Sequence, residues 1–86
     1  MPHPDHAASR QIMASRIMPA PDIESSVISR AFYDAFTREL DIVFTSGQPY
    51  RYFDVPTKVY RQFIDAASKG EFFNAHIRDR YQFERL

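Results

Sequence analysis

Tyr50-Arg51-Tyr52 is the segment of this chain best suited to chemistry. A guanidinium stands between two phenol rings, and on a strand the rings share one face while the arginine takes the other. Arginine forks onto phosphate and aromatic rings stack on bases, so this triplet has the residue types of a nucleic-acid surface. Lys58 and Arg61 follow closely, and Lys69, Arg78 and Arg80 lie further on. Nine of the eleven basic residues are arginine, the better residue for phosphate forks and stacking. The competing expectation is structural. The tyrosines fill the core, and the arginines pair with Asp41, Asp54, Asp65 and Asp79. Eleven acidic residues balance the eleven basic ones, so formal net charge is zero, which weighs against a general polyanion binder.

Other chemistries find less support. His76 is the only histidine outside the first six residues, and no nucleophile stands in a recognisable pattern with it. Asp34, Asp41 and Asp54 are dispersed over turns and strands, where aspartate caps or is solvated. No catalytic residue is therefore assigned, and the chain is not expected to be an enzyme. Cysteine is absent, which removes disulfides, thiolate zinc sites and thiol chemistry. His3, Asp5 and His6 could hold Cu(II) or Ni(II) weakly, but they sit in a proline-flanked terminus with nothing to orient them. No metal site and no cofactor is assigned.

The elements that must position these residues occupy the C-terminal two-thirds. All thirteen aromatics fall between Phe32 and Phe83 in an 86-residue chain, so one small domain is expected over residues 23–86. Residues 1–22 read as a flexible N-terminal arm ending in the linker Pro19-Ala20-Pro21-Asp22. A short amphipathic helix over Ala7–Met18, with Ile12, Met13 and Ile17 on one face, is the alternative for the arm. Three strands are expected: Val27–Tyr33, Glu39–Thr45 and Tyr50–Phe53. In the first the inward face is ambiguous. In the second, Leu40, Ile42 and Phe44 share one face. Helical spacing then links Val59, Tyr60, Phe63, Ile64 and Ala67, with Pro56 suited to the first turn and Asp54 to the cap. Ser68 and Glu71 form a capping box for a second helix, and the charged end carries Tyr81 and Phe83, which could fold back. The expected fold is α+β: a three-stranded antiparallel meander followed by two short helices, in the order β-β-β-α-α.

Hairpin register decides what the tyrosines do. A two-residue loop at Ser46-Gly47 pairs Val43 with Tyr50 and sends both tyrosines to the open face. A three-residue loop, Ser46 to Gln48, pairs Phe44 with Tyr50 and Ile42 with Tyr52, puts the tyrosines with the core and places Pro49 opposite Thr45. The second is preferred because it groups Leu40, Ile42, Phe44, Tyr50 and Tyr52. Arg51 and Phe53 then face outward with Val43.

The ordered set Ser25-Ser26-Val27-Ile28, Tyr33-Asp34, Leu40 with Ile42 and Phe44, Gly47, Tyr50-Arg51-Tyr52, Val55-Pro56, Val59-Tyr60, Ala67-Ser68-Lys69-Gly70, Phe72-Phe73-Asn74, Ile77-Arg78 and Tyr81 resembles the KTSC domain over residues 25–81. That family is named for a domain at the C-terminus of some lysyl-tRNA synthetases, and it also occurs as a stand-alone bacterial protein. The resemblance implies RNA binding only by association with a tRNA enzyme, and it supplies no catalytic residues. It marks Tyr50, Arg51 and Tyr52 as the binding surface, with Arg78 second.

The expected function is therefore non-catalytic binding, of RNA more than DNA, through Arg51, Tyr50, Tyr52, Lys58, Arg61 and Arg78, with Tyr50 and Tyr52 stacking on bases only in the two-residue-loop register. A ribbon-type DNA reader fits only loosely, because extra strands precede the strand–helix–helix unit. The alternative is a protein–protein interaction or homodimer scaffold module using the open sheet face. A domain this small, with no disulfide or metal to staple it, is expected to gain from homodimerisation. No apolar run is long enough to cross a bilayer and the first residues lack a signal pattern, so no membrane partner and a cytoplasmic location are expected.

Overall fold

The computed structural model describes residues 17–20, 23 and 25–86. Its core is a five-stranded antiparallel sheet in the order β1-β2-β3-β4-β5, formed by β1 (Ile17–Pro19), β2 (Ile28–Asp34), β3 (Glu39–Phe44), β4 (Pro49–Tyr52) and β5 (Phe83–Arg85). Helices α1 (Thr57–Asp65) and α2 (Lys69–His76) lie between β4 and β5 in sequence. The α+β class stands, but the three-stranded meander is corrected to five strands. Both additional strands are three residues long, too short to carry an alternation of their own, and each borders the central hairpins. β1 falls in the stretch read as arm and linker, with Ala20 following it, and residues 1–16, 21 and 22, including most of the proposed Ala7–Met18 helix, lie outside the described residues.

A bulge resolves the ambiguous face of β2. Ile28 pairs with Phe44, but Arg30 already pairs with Val43, so Ser29 is an extra residue. Ile28 thereby joins Ala31 and Tyr33 on the inner face, all buried. The inner face continues through Leu40, Ile42 and Tyr52, and α1, α2 and the turn after α2 close over it with Tyr60, Phe63, Phe73 and Ile77.

The tyrosines do join this face, as the preferred register requires, but the pairing differs from the expected one. Ile42 pairs with Tyr50, Leu40 with Tyr52 and Val43 with Pro49. The loop is Thr45-Ser46-Gly47, closed by the Phe44 amide on the Gln48 carbonyl at 3.0 Å and by the Gly47 amide on the Phe44 carbonyl at 2.8 Å. Gly47 supplies the left-handed conformation (φ 92°) that ends such a three-residue turn. The loop sits one residue earlier than expected, which moves each partner by two and so preserves the face.

Two buried tyrosines bind the layers together. Tyr33 and Tyr60 stack with centroids 4.6 Å apart at 13°. The Tyr33 hydroxyl donates to the Val55 carbonyl at 2.6 Å, and the Tyr60 hydroxyl donates to the Met18 carbonyl at 2.6 Å, tying α1 to β1. At the helix starts, Ser68 accepts from the Glu71 amide at 3.3 Å as its spacing predicts. Asp54 does not cap α1. It sits at φ 57° in the preceding turn, and Pro56 is the cap residue with no side-chain bond.

Candidate nucleic-acid interface

Sheet alternation separates Arg51 from its two tyrosines. Row by row, the outer face sets Phe32, Asp41, Arg51 and Glu84 side by side across β2 to β5. Arg51 is held there by a two-pronged bond to Asp41, with Nε–Oδ1 at 2.8 Å and Nη2–Oδ2 at 3.0 Å. Glu39 stands 3.8 Å from the same Nε. The bond to Asp41, with the charges of Asp41, Glu39 and Glu84 around it, raises the Arg51 pKa against a burial effect that lowers it. The guanidinium fork is thus already occupied by a carboxylate of the right geometry. Val43 is also on this face, half-buried, and Phe53 continues the alternation beyond Arg51.

On the inner face the helices stop short of the β4–β5 end. A cleft of about 520 Å³ remains between the sheet and α2, a size within the usual range for small-ligand sites. Phe44, Tyr50, Tyr52, Phe73 and Phe83 are its aromatic lining. Phe83 packs 5.5 Å from both Tyr50 and Tyr52, and Tyr52 meets the edge of Phe73 at 5.4 Å. Tyr52 is almost fully buried, Tyr50 is half-buried, and Phe83 is 54% exposed, so Phe83 and Tyr50 present the accessible rings.

Arg78 and Asp79 stand at the mouth of this cleft. Both belong to the turn after α2, which buried Ile77 anchors. The Ile77 and Arg78 amides donate to the Phe73 carbonyl at 3.0 and 2.9 Å, and the Arg80 amide donates to that of Ile77 at 3.1 Å. Arg78 and Asp79 project from a well-tethered turn. Among the described residues neither side chain makes an ion pair or a hydrogen bond. Their opposite charges act on the Tyr52 hydroxyl, whose pKa is pushed up to about 12 chiefly by burial, then by Tyr50, with Arg78 opposing and Asp79 adding. Gln48 and Asn74 add amide groups to the lining, and Gln48 accepts from Arg85 Nη2 at 2.9 Å.

Of the six residues named from sequence, the fold brings Tyr50, Tyr52 and Arg78 together at this cleft. Arg51 lies on the opposite face of the sheet. Lys58 and Arg61 sit exposed on α1, outside the cleft. His76 is exposed, with its ring 4.6 Å from that of Phe72. Sequence reasoning missed Asp79, Asn74 and Gln48 as lining residues and left Phe83 as an aromatic that could fold back. The available signal for Phe83 was an aromatic placed between Gln82 and Glu84 in a charged terminus.

A family model described as the KTSC domain matches residues 24–81. The chain is 39% identical over 82 residues to a lysine–tRNA ligase of Nostoc punctiforme, covering 95% of this chain and 14% of the ligase. It is also 37% identical over 60 residues to a protein of Tsukamurella paurometabola, covering 70% of this chain and 90% of that one. Among solved structures, the crystal structure of a KTSC domain protein from Yersinia pestis superposes with a TM-score of 0.76 at 31% identity, over 81% of this chain and 97% of that one. The chain thus spans only about a seventh of the ligase length.

Proposed function

The chain belongs to the KTSC domain family, and we propose that it is a non-catalytic module that binds single-stranded nucleic acid, RNA in preference to DNA, in the aromatic cleft between β4, β5 and α2. The observation that carries this is the pairing of an accessible aromatic surface, Tyr50 with Phe83, with the guanidinium of Arg78 beside it, unpaired among the described residues. An unpaired base stacks on any aromatic face, and a guanidinium at the rim meets its phosphate. Duplex is a poor fit, because its bases are already stacked and the cleft is a local concavity, not an extended basic face. The tRNA enzyme among the relatives adds support by association alone.

The test is anisotropy of a labelled single-stranded RNA hexamer against wild type and Arg78→Ala. Wild type is expected to bind with an affinity that falls between roughly 50 and 200 mM salt, and Arg78→Ala to weaken binding and flatten the salt slope by about one. No binding at low salt would overturn the proposal.

A second role, docking of a protein or a second copy on the open sheet face, is supported by exposed Ile17 and Leu86 at its two edges, with Val43 half-buried between them. Sedimentation equilibrium separates the two roles. A dimer that Val43→Lys returns to monomer favours docking, and a monomer at every concentration removes the homodimer.

A further inference from the structure

The cleft mouth holds a carboxylate where a phosphate site alone would avoid one. Asp79 is adjacent to Arg78 in sequence, lines the same cleft and is unpaired among the described residues. A carboxylate accepts hydrogen bonds and repels phosphate, so a ligand group seated against it is one that donates. In a nucleotide whose base lies on Phe83 and Tyr50 and whose phosphate meets Arg78, the group next to the phosphate is the sugar. In RNA that sugar carries a donor, the 2′-hydroxyl, which DNA lacks. Arg78 and Asp79 are consecutive in one tethered turn, as phosphate and ribose are consecutive along a strand.

Resting on the single-strand function proposed above, we infer that Asp79 accepts a hydrogen bond from the ribose 2′-hydroxyl of the nucleotide held in the cleft and makes the site selective for RNA. The three parts of a ribonucleotide then meet three chemistries. The aromatic floor takes the base, the Arg78 guanidinium takes the phosphate and the Asp79 carboxylate takes the sugar.

The experiment compares three single-stranded hexamers of one sequence built from adenine and cytosine only: RNA, DNA and 2′-O-methyl RNA. Each is titrated against wild type, Asp79→Ala and Asp79→Asn. Asp79 is exposed, so the variants are expected to fold, and their thermal unfolding is checked first. Wild type should bind RNA about tenfold or more tighter than DNA, the size expected of one hydrogen bond to a charged acceptor. The 2′-O-methyl strand keeps the RNA sugar pucker but cannot donate, so it should bind like DNA. Asp79→Ala should lose the preference by weakening RNA binding while DNA affinity stays level or rises. Asp79→Asn, which keeps an acceptor without the charge, should retain part of it. Equal binding of RNA and DNA by wild type, or a ratio unchanged in Asp79→Ala, would overturn the role of Asp79 and leave single-strand binding standing. A loss common to RNA and DNA in Asp79→Ala would also overturn it, because the carboxylate would then be reading the base. No binding of any hexamer would remove both proposals.

Discussion

Arg51 and Asp41 face each other directly across β4 and β3 and close a two-pronged ion pair, at 2.8 and 3.0 Å, on the face of the sheet opposite the aromatic cleft. The most conspicuous cation of the central motif is therefore part of a cross-strand ladder, while the tyrosines beside it point to the other side. This division follows from the two-residue period of a strand.

Removing that pair should be mild. Arg51 and Asp41 keep about a third and a quarter of their side-chain surface in solvent, so screening limits the gain. Arg51→Ala is expected to lower unfolding free energy by about 0.5–1 kcal/mol in urea denaturation, less at high salt, and to leave RNA affinity level. A severalfold drop in affinity would return Arg51 to the binding surface.

Tyr60→Phe removes the hydroxyl that binds the Met18 carbonyl. The expected cost is about 1 kcal/mol, or roughly 4–8 °C in thermal midpoint for a domain of this size. Amide exchange along β1 should accelerate more than along β3, because this bond joins the short edge strand to α1. Unchanged exchange at β1 would show that strand pairing alone holds it.

The hairpin assignment is checked by Gly47→Ala. Among the described residues nothing lies within 4 Å of the position a Cβ would take, so the substitution probes the backbone at φ 92°. A loss of about 1 kcal/mol is expected, with Gly47→Asn milder because asparagine tolerates the left-handed region. An unaffected Gly47→Ala protein would contradict the three-residue loop.

Alkaline pH should destabilise the fold. Burial pushes the Tyr52 and Tyr60 hydroxyls up to about 12 from an ordinary value of 10. Above pH 10 the unfolded chain releases these protons while the folded chain keeps them, so unfolding becomes more favourable. Their contribution is complete below pH 10 and lost as pH rises through about 12. In an absorbance titration followed with circular dichroism, phenolate formation at these two residues should coincide with unfolding. Ionisation of both in a fully folded protein would contradict their burial.

How far the sequence carried these conclusions depended on the length of each pattern. Leu40, Ile42 and Phe44 alternate over a whole strand, and Tyr60 and Phe63 sit at helical spacing, so these elements and their inward faces were legible. The face of Tyr50 and Tyr52 was legible too, because slipping a partner by two leaves it unchanged. The β2 face was not, since a bulge at Ser29 shifts the alternation without any glycine or proline to announce it. β1 and β5 were not either, because three residues hold no period and Pro19 reads as a break, although an edge strand accepts proline. The same omission hid the cleft. Phe83 reaches Tyr50 and Tyr52 only because β5 pairs with β4, and Asp79 joins Arg78 at the mouth only through the turn that precedes that strand.

The most direct test is an amide-resolved NMR titration of the labelled protein with a single-stranded RNA hexamer at low and moderate salt. Shifts should cluster on Tyr50, Phe83, Arg78 and Asp79, fade as salt rises, and spare the outer row of Asp41, Arg51 and Glu84. Shifts centred on that outer row, or no shifts at any salt, would contradict the cleft as the site of binding.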